Sequence, residues 1–308
     1  MGKATREAYG EALAELGEKN PNVVVLDADL SKSTKTVVFK KKFPERFINV
    51  GISEADLIGT AAGFATTGKI PFASTFAIFA AGRAFEQIRN TVGYPHLNVK
   101  ICPTHAGISV GEDGGSHQSI EDLALMRTIP GMVVLSPCDE VETRKAVLAA
   151  AEYKGPVYIR LGRLATPKLF DDSYDFQIGK AATLREGNDV TVIATGMLTA
   201  EAVEAADILK AEGVSVRVIN MGTIKPLDNE AVLKAAKETK FIVTAEEHSV
   251  IGGLGGAVSE FTAENSPAKV VKIGVYDRFG ESGTGEELME KFNLKAKDIV
   301  AKIKENLK

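Results

Sequence analysis

The chain has 308 residues, of which 44% are hydrophobic and 25% are charged, a composition typical of globular proteins that bury a sizeable core. Its formal net charge of −4 and its lack of a long basic block argue against non-specific nucleic-acid binding. The length predicts about two domains. The sequence has no signal segment and no apolar run of bilayer length, which predicts no membrane partner. Cys102 and Cys138 lie beside strand-like runs and are expected to be buried, reduced thiols, as in a cytoplasmic protein.

Strand-like β-branched runs alternate with helical stretches in the first half of the chain, which is typical of parallel βαβ units. The predicted strands cover residues 23–26, 98–102, 132–135 and 157–160. The predicted helices cover residues 5–18, 53–67, 80–92, 120–128 and 140–152. Polar groups follow each of these strands, at 27–29, 104–118, 136–138 and 161–163. Because parallel strands end at one edge of a sheet, these groups are expected to converge on one site.

Residues 164–186 are polar and break the alternation, so they are expected to form an interdomain linker. A second βα series follows, with predicted elements at 190–194, 201–212, 214–219, 229–237, 241–245 and 270–275 and a C-terminal helix. The sequence therefore predicts two consecutive α/β domains, each with a mostly parallel sheet flanked by helices. The expected boundaries are 1–170 for the first domain, 171–186 for the linker and 187–308 for the second domain.

The segment 104–118, Thr-His-Ala-Gly-Ile-Ser-Val-Gly-Glu-Asp-Gly-Gly-Ser-His-Gln, is the most informative stretch of the sequence. It holds two of the chain's four histidines together with Glu112 and Asp113. Its small residues allow tight turns or a close approach to a ligand. A polar loop after a buried strand is where open α/β sheets place their ligands. The alternative is a long surface loop with two incidental histidines.

Glu54 lies at the start of a predicted helix, where Ser53 and Asp56 form a capping-box pattern. Downstream small and apolar residues give this helix an apolar face. A carboxyl group in such surroundings can hydrogen-bond a heterocycle nitrogen and share its proton. The alternative is that Glu54 only favours the helix N-terminus through the helix dipole.

Four phenylalanines, Phe72, Phe76, Phe79 and Phe85, crowd one segment of a chain that is 6% aromatic. They are expected either in the core or as a platform for a flat ring. A second group falls at helix starts and strand ends and combines guanidinium, hydroxyl and imidazole groups, a chemistry suited to phosphate: Arg6, Ser33, His105 and Arg163.

Three other site classes are disfavoured by spacing. The glycines at 252–256 are too loose for a dinucleotide fingerprint and are expected to serve close helix packing. The histidines and cysteines show no metal-ligand spacing, and no Walker loop is present.

Taken together, these motifs resemble the C-terminal half of a transketolase, a thiamine-diphosphate enzyme, over essentially the whole chain. The most specific motif is Thr104-His105 followed by Gly-Glu-Asp-Gly at 111–114 and His117-Gln118. Further resemblance lies at 51–54 with 61–63, 74–76, 4–6, 29–33 and 155–163.

The resemblance implies a role for each matching residue. Glu54 would bind the cofactor's pyrimidine nitrogen and favour its imino form, and His117 would transfer protons near the cofactor and the reacting sugar. Asp113 would bind a hydroxyl of the donor sugar. The remaining roles are phosphate binding by Arg6, Ser33, His105 and Arg163, and contact with the cofactor by Asp29, Phe76, Phe79 and Phe85. Gly82 stands where many transketolases have a tyrosine, and Phe85 could take its place.

The family's diphosphate and metal motif, a Gly-Asp-Gly followed by an asparagine, is absent from the sequence. The resemblance therefore implies a split enzyme in which an N-terminal subunit binds the diphosphate and Mg²⁺ or Ca²⁺, and this chain binds no metal. Two copies of each subunit are expected to form an α2β2 assembly acting on sugar phosphates. The alternatives are a deoxyxylulose-phosphate synthase-like subunit, whose family has an Asp-Arg pair at 104–105, a pyruvate dehydrogenase beta-like subunit, and a non-catalytic regulatory subunit.

Overall fold

Two β-sheets organise the chain in the computed structural model, which describes residues 2–308. The strands are β1 (Val23–Asp27), β2 (Phe47–Asn49), β3 (Ile70–Ser74), β4 (Lys100–Ile101), β5 (Val133–Leu135), β6 (Val157–Ile159), β7 (Ala182–Arg185), β8 (Val190–Ala194), β9 (Val216–Asn220), β10 (Thr223–Lys225), β11 (Ile242–Ser249) and β12 (Val270–Val275). One sheet has the order β10-β5-β6-β4-β3-β1-β2 and the other β12-β11-β8-β9-β7. All pairings are parallel except those of β10 with β5 and β7 with β9, which confirms the predicted fold class.

Helices flank both sheets. They are α1 (Thr5–Lys19), α2 (Ser31–Thr34), α3 (Val37–Lys42), α4 (Glu54–Thr66), α5 (Phe85–Gln87), α6 (Asp122–Arg127), α7 (Glu140–Glu152), α8 (Leu198–Ala211), α9 (Asn229–Glu238), α10 (Leu254–Asn265), α11 (Gly285–Lys291) and α12 (Ala296–Leu307). Short 3₁₀ turns cover Pro44–Arg46 and Ile108–Val110. The prediction for 140–152 is confirmed.

The predicted helix at 80–92 is interrupted. Two π-helical segments, Phe79–Arg83 and Ile88–Gly93, flank the single turn α5. Such widened turns shift the direction of the side chains that follow and are frequent at functional sites. The segment at Phe79–Arg83 borders the site described below.

Fully buried β-branched strands explain the two sheets. All five residues of β1, β8 and β9 are buried, as expected for parallel strands covered on both faces. Within the first sheet, β6, β4, β3 and β1 are neighbours, so the loops after their carboxyl ends meet at one edge. The third predicted strand end, after β5, is joined to the second domain instead, because Ser136 hydrogen-bonds Gly222 and Thr195.

The expected linker is irregular only in part. Residues 182–185 form β7, which pairs with β9 at the edge of the second sheet. The polar composition of the segment hid this strand because one of its faces is exposed. The second half of the chain also supplies β10 to the first sheet, so the two domains share a strand pairing.

Both cysteines, Cys102 and Cys138, are free and buried, as predicted. Among residues 2–308, no helix combines the length and apolar character that a membrane crossing requires.

Candidate functional site

The carboxyl edge of the first sheet gathers most of the predicted site residues. Arg6 lies in the first turn of α1, and Ser33 lies in α2 just beyond β1. Phe76 follows β3, His105 follows β4 and Arg163 follows β6. Positions 76 and 104 form an isolated bridge that extends the β3–β4 pairing toward this edge. The parallel-sheet rule therefore brings together residues that are far apart in sequence.

Arg6 and His105 are in direct contact. Nη1 of Arg6 donates to the carbonyl of Ser33 at 3.0 Å and lies 3.3 Å from Nε2 of His105. A guanidinium can only donate, so Nε2 accepts and the ring proton resides on Nδ1, which is 2.7 Å from Oγ1 of Thr104. Burial and the positive charges of Arg6 and Arg163 lower the pKa of His105 to about 3, and the imidazole is therefore neutral at physiological pH.

The Arg6 side chain is suited to an anion. Burial, with a contribution from the nearby charge of Arg163, lowers the pKa of the Arg6 guanidinium. Its Nε is buried and has no hydrogen-bond partner. Two guanidinium groups beside a neutral imidazole leave an excess of positive charge that a phosphate would neutralise.

Arg163 is held against the 104–118 loop. Its Nη1 donates to the carbonyl of Val110 and lies 2.8 Å from Oε2 of the exposed Glu112. The backbone amide of Glu112 and this guanidinium hold the pKa of the Glu112 carboxyl below its usual range. Because Glu112 is exposed, an incoming anion can replace its carboxylate without uncovering a buried charge.

An aromatic cluster lies beside the two arginines. The Phe76 ring stacks on His105 with centroids 4.0 Å apart and lies 6.0 Å from Phe79. His117 approaches Phe79 edge-on at 5.3 Å. Phe85 is half-buried against an apolar cluster built from both domains and does not stack on these rings.

Glu54 is buried as the first residue of α4. Its Oε2 accepts from Nη1 of Arg83 at 3.2 Å, and the Arg83 guanidinium lies 5.0 Å from the centroid of Phe79. The predicted capping box is wrong, because Ser53 makes no side-chain capping bond and Asp56 accepts from a threonine hydroxyl. The carboxyl of Glu54 takes no part in capping α4, and its partner is Arg83.

Three further predicted residues lie on segments that follow β1 or β4 at this edge of the sheet. Asp29 is exposed, has φ of 63° and exchanges hydrogen bonds with Asn49. His117 is half-buried, and its Nδ1 lies 3.0 Å from Oγ of Ser116. Asp113 is exposed on the same loop.

Sequence reasoning missed Arg83 and Thr104 as members of the site. Arg83 has a weak signal, since it follows Phe79 by four positions. Thr104 is buried and fixes the imidazole of its neighbour His105. Within residues 2–308, no group of three or more histidine, cysteine, aspartate or glutamate side chains is arranged to hold a metal ion.

Comparisons with known proteins decide the family. The model described as "Transketolase, pyrimidine binding domain" matches residues 1–168, and that described as "Transketolase, C-terminal domain" matches residues 179–299. The chain belongs to the transketolase family. It comprises the C-terminal half of a transketolase, as the motifs at 51–54 and 104–118 predicted.

Two relatives within the transketolase family match along nearly their whole length. A transketolase C-terminal section from Methanocaldococcus jannaschii is 52% identical over 99% of this chain and 97% of its own. A 6-deoxy-6-sulfo-D-fructose transketolase subunit from a Clostridium strain is 45% identical over 96% of this chain and 92% of its own. A solved structure described as a split-gene transketolase in an inactive β4 tetramer has a TM-score of 0.92 and 58% identity, and the match covers 99% of this chain and 98% of that one.

Proposed function

We propose that this chain is the C-terminal subunit of a two-chain transketolase, which transfers a two-carbon ketol unit from a ketose phosphate to an aldose phosphate. One observation carries the proposal. A continuous line of contacts runs from Glu54 through Arg83, Phe79, Phe76 and His105 to Arg6. It joins a buried carboxyl at one end to a cationic pocket at the other, with aromatic rings between them. Such an order suits a flat heterocycle beside a phosphorylated sugar.

The residues fit the pyrimidine part of thiamine diphosphate. Thiamine diphosphate, when bound, supplies a carbon nucleophile for carbonyl chemistry. Glu54 would hold a proton at the ring nitrogen, which a buried carboxyl can do without competition from water. Phe76 and Phe79 would pack on the ring. His117 would move protons near the reacting sugar, and Asp29 would line the cofactor.

Phosphate recognition is assigned to the cationic pocket. Arg6 and Arg163 would bind the phosphate through charge-assisted hydrogen bonds. Ser33 and His105 would complete the pocket, and Asp113 would bind a donor hydroxyl. Phe85, half-buried against the apolar core, is the third aromatic candidate for contact with the cofactor.

The partner is proposed from what this chain lacks. Its sequence holds no Gly-Asp-Gly motif, so the diphosphate and its Mg²⁺ or Ca²⁺ would be bound by an N-terminal transketolase subunit. The cofactor would lie at the interface of an α2β2 assembly. The description of one relative as a C-terminal section and of another as a split-gene transketolase supports the need for an N-terminal partner.

The donor distinguishes this function from its rivals. A deoxyxylulose-phosphate synthase-like or pyruvate dehydrogenase beta-like subunit would use pyruvate, and a regulatory subunit would use no donor. The test is an assay of the chain with its N-terminal partner, thiamine diphosphate and Mg²⁺, offering xylulose 5-phosphate or pyruvate to ribose 5-phosphate. We expect transfer from the ketose phosphate alone. Turnover of pyruvate, or of neither donor by a complex that binds the cofactor, would contradict the proposal.

A further inference from the structure

The 104–118 loop is held by the second domain. Oε1 of Glu247, on β11, accepts the backbone N–H of Ser109 at 2.6 Å. Glu247 is 4% exposed. At the far end of the loop, Nε2 of Gln118 donates to the carbonyls of Ile108 and Glu281. This one side-chain amide therefore bridges the loop and the second domain.

The glycines of the 104–118 loop lie in close contact with the second domain. A Cβ at Gly107 would lie 2.2 Å from Cδ of Glu247, so no larger residue fits while the carboxyl stays in place. A Cβ at Gly115 would lie 2.7 Å from the carbonyl oxygen of Gly280. Gly107 also has φ of 82°, which favours glycine. The loop backbone therefore packs directly against a side chain, Glu247, and against the backbone at Gly280 of the second domain.

The Glu247 carboxyl hydrogen-bonds the loop and not the neighbouring guanidinium of Arg160. A buried carboxylate is costly unless it is paired, and the Arg160 guanidinium donates to the backbone carbonyl of Glu247 while its Nε donates to Asp122. The Glu247 side chain is instead aimed at a single loop amide. That amide lies four residues before Asp113 and eight before His117, on the same loop.

We propose that Glu247 is a positioning residue through which the second domain fixes the loop that carries Asp113 and His117. The activity part of this inference rests on the proposed function, whereas the loop geometry does not. Since a displacement of about 1 Å in a positioned group can cost roughly 100-fold in rate, a loop released at Ser109 would lose turnover without losing the cofactor pocket.

Two substitutions of Glu247 distinguish the effect of its side-chain length from the effect of its charge. Glu247→Gln keeps the length of the side chain and an amide oxygen that can accept the Ser109 N–H, but removes the charge near Arg160. Glu247→Asp keeps the charge but withdraws the carboxylate by about one C–C bond, roughly 1.5 Å, from the amide. Glu260→Gln is the control, because Glu260 pairs across the domain boundary with Arg127 at 2.7 Å but does not touch the loop.

The experiment is hydrogen–deuterium exchange on the full chain in complex with its N-terminal subunit, followed through peptides covering 104–118. In Glu247→Asp we expect the Ser109 amide to exchange roughly 10- to 100-fold faster, as loss of a hydrogen bond to a charged group implies. In Glu247→Gln and Glu260→Gln we expect protection close to that of the unmodified chain. In the same complex, kcat/KM should fall in the Asp variant while affinity for thiamine diphosphate stays unchanged.

The outcomes separate the two proposals. If the unmodified complex transfers no ketol unit but the Asp variant still releases Ser109, the proposed function fails and the positioning role stands. If the Gln variant releases the loop and the Asp variant does not, charge near Arg160 is what matters and the inference is overturned. Unchanged protection of Ser109 in both variants would also overturn it.

Discussion

Nη1 of Arg83 lies 3.2 Å from Oε2 of Glu54, which joins a side chain that is 59% exposed to one that is 3% exposed. The pair places an exposed cation against the buried carboxyl at the edge of the aromatic cluster. A pair with one exposed partner contributes little to folding stability, about 1 kcal/mol or less. Because the pair adds little to folding stability, substitutions of Glu54 or Arg83 should alter activity more than stability.

Glu54→Gln tests the proposed proton-holding role. The amide keeps the size of the side chain but cannot share a proton with a ring nitrogen, so activity of the assembled enzyme should fall by roughly 10²- to 10⁴-fold. Urea unfolding should be nearly unchanged. Asp56→Asn, an exposed position on the same helix, is the matched control and should keep full turnover. Near-normal turnover of Glu54→Gln would remove Glu54 from the proposed site.

Arg163→Ala tests the cationic pocket. Loss of a charge-assisted hydrogen bond should raise KM for phosphorylated sugars by roughly 10- to 100-fold and leave the same sugars without phosphate little affected. Steady-state kinetics on both substrate sets measures the difference. Arg185→Ala removes an exposed guanidinium paired with Asp207 in the second domain and should change neither. An equal loss on both substrate sets would mean that Arg163 acts by holding the loop at Val110.

Asp113→Asn tests contact with a donor hydroxyl. Asp113 is exposed on the loop, so its substitution should leave folding intact. We expect kcat/KM for the ketose donor to fall by roughly tenfold, since the hydrogen bond to a charged carboxylate is replaced by a weaker one to a neutral amide. Affinity for thiamine diphosphate, measured by calorimetry, should stay the same. A weakened cofactor affinity would place Asp113 at the cofactor instead.

The buried carboxyl of Glu142 is expected to make the stability of the fold depend on pH. Its carboxyl accepts from the backbone N–H of Cys138, from Asn220 of the second domain and from the hydroxyl of Tyr174. Burial raises its pKa from 4.5 to about 7, so the folded chain holds an extra proton between these values. Protonation of Glu142 therefore stabilises the fold fully below about pH 4.5, and this stabilisation is lost as the pH rises through about 7. The free energy of unfolding changes by roughly 3 kcal/mol across this range.

Glu142→Gln should flatten this dependence, because the amide is neutral at every pH. The measurement is the free energy of unfolding near pH 5 and near pH 8, for both proteins. The change between the two pH values is compared between the proteins, so that the contributions of all other titratable groups cancel. An identical pH dependence in the two proteins would show that Glu142 stays ionised in the fold.

The sequence could predict those parts of the site that follow from local pattern and the parallel-sheet rule. Arg6, His105 and Arg163 lie at a helix start or after a strand, and parallel pairing then brings them to one edge. Asp29 follows a strand in the same way, although its conformation with positive φ and its pairing with Asn49 depend on the neighbouring strand β2.

The rest depends on contacts between distant segments. Arg83 contacts Glu54 from a π-helical turn within the predicted helix at 80–92, and the sequence shows no pattern that predicts such a turn. Glu247 reaches Ser109 across 138 positions, and β10 joins the first sheet from the second half of the chain. Strand β7 was missed because half of its residues are exposed, so its composition is that of a loop.

The most direct test of the account is a titration of the chain with its N-terminal subunit while ketol transfer from xylulose 5-phosphate to ribose 5-phosphate is followed with thiamine diphosphate and Mg²⁺. We predict no transfer by the chain alone and activity that saturates at one partner per chain, with an α2β2 mass by light scattering. Transfer by the chain alone, or saturation without a partner bearing a Gly-Asp-Gly motif, would contradict the proposed division of the active site between two subunits.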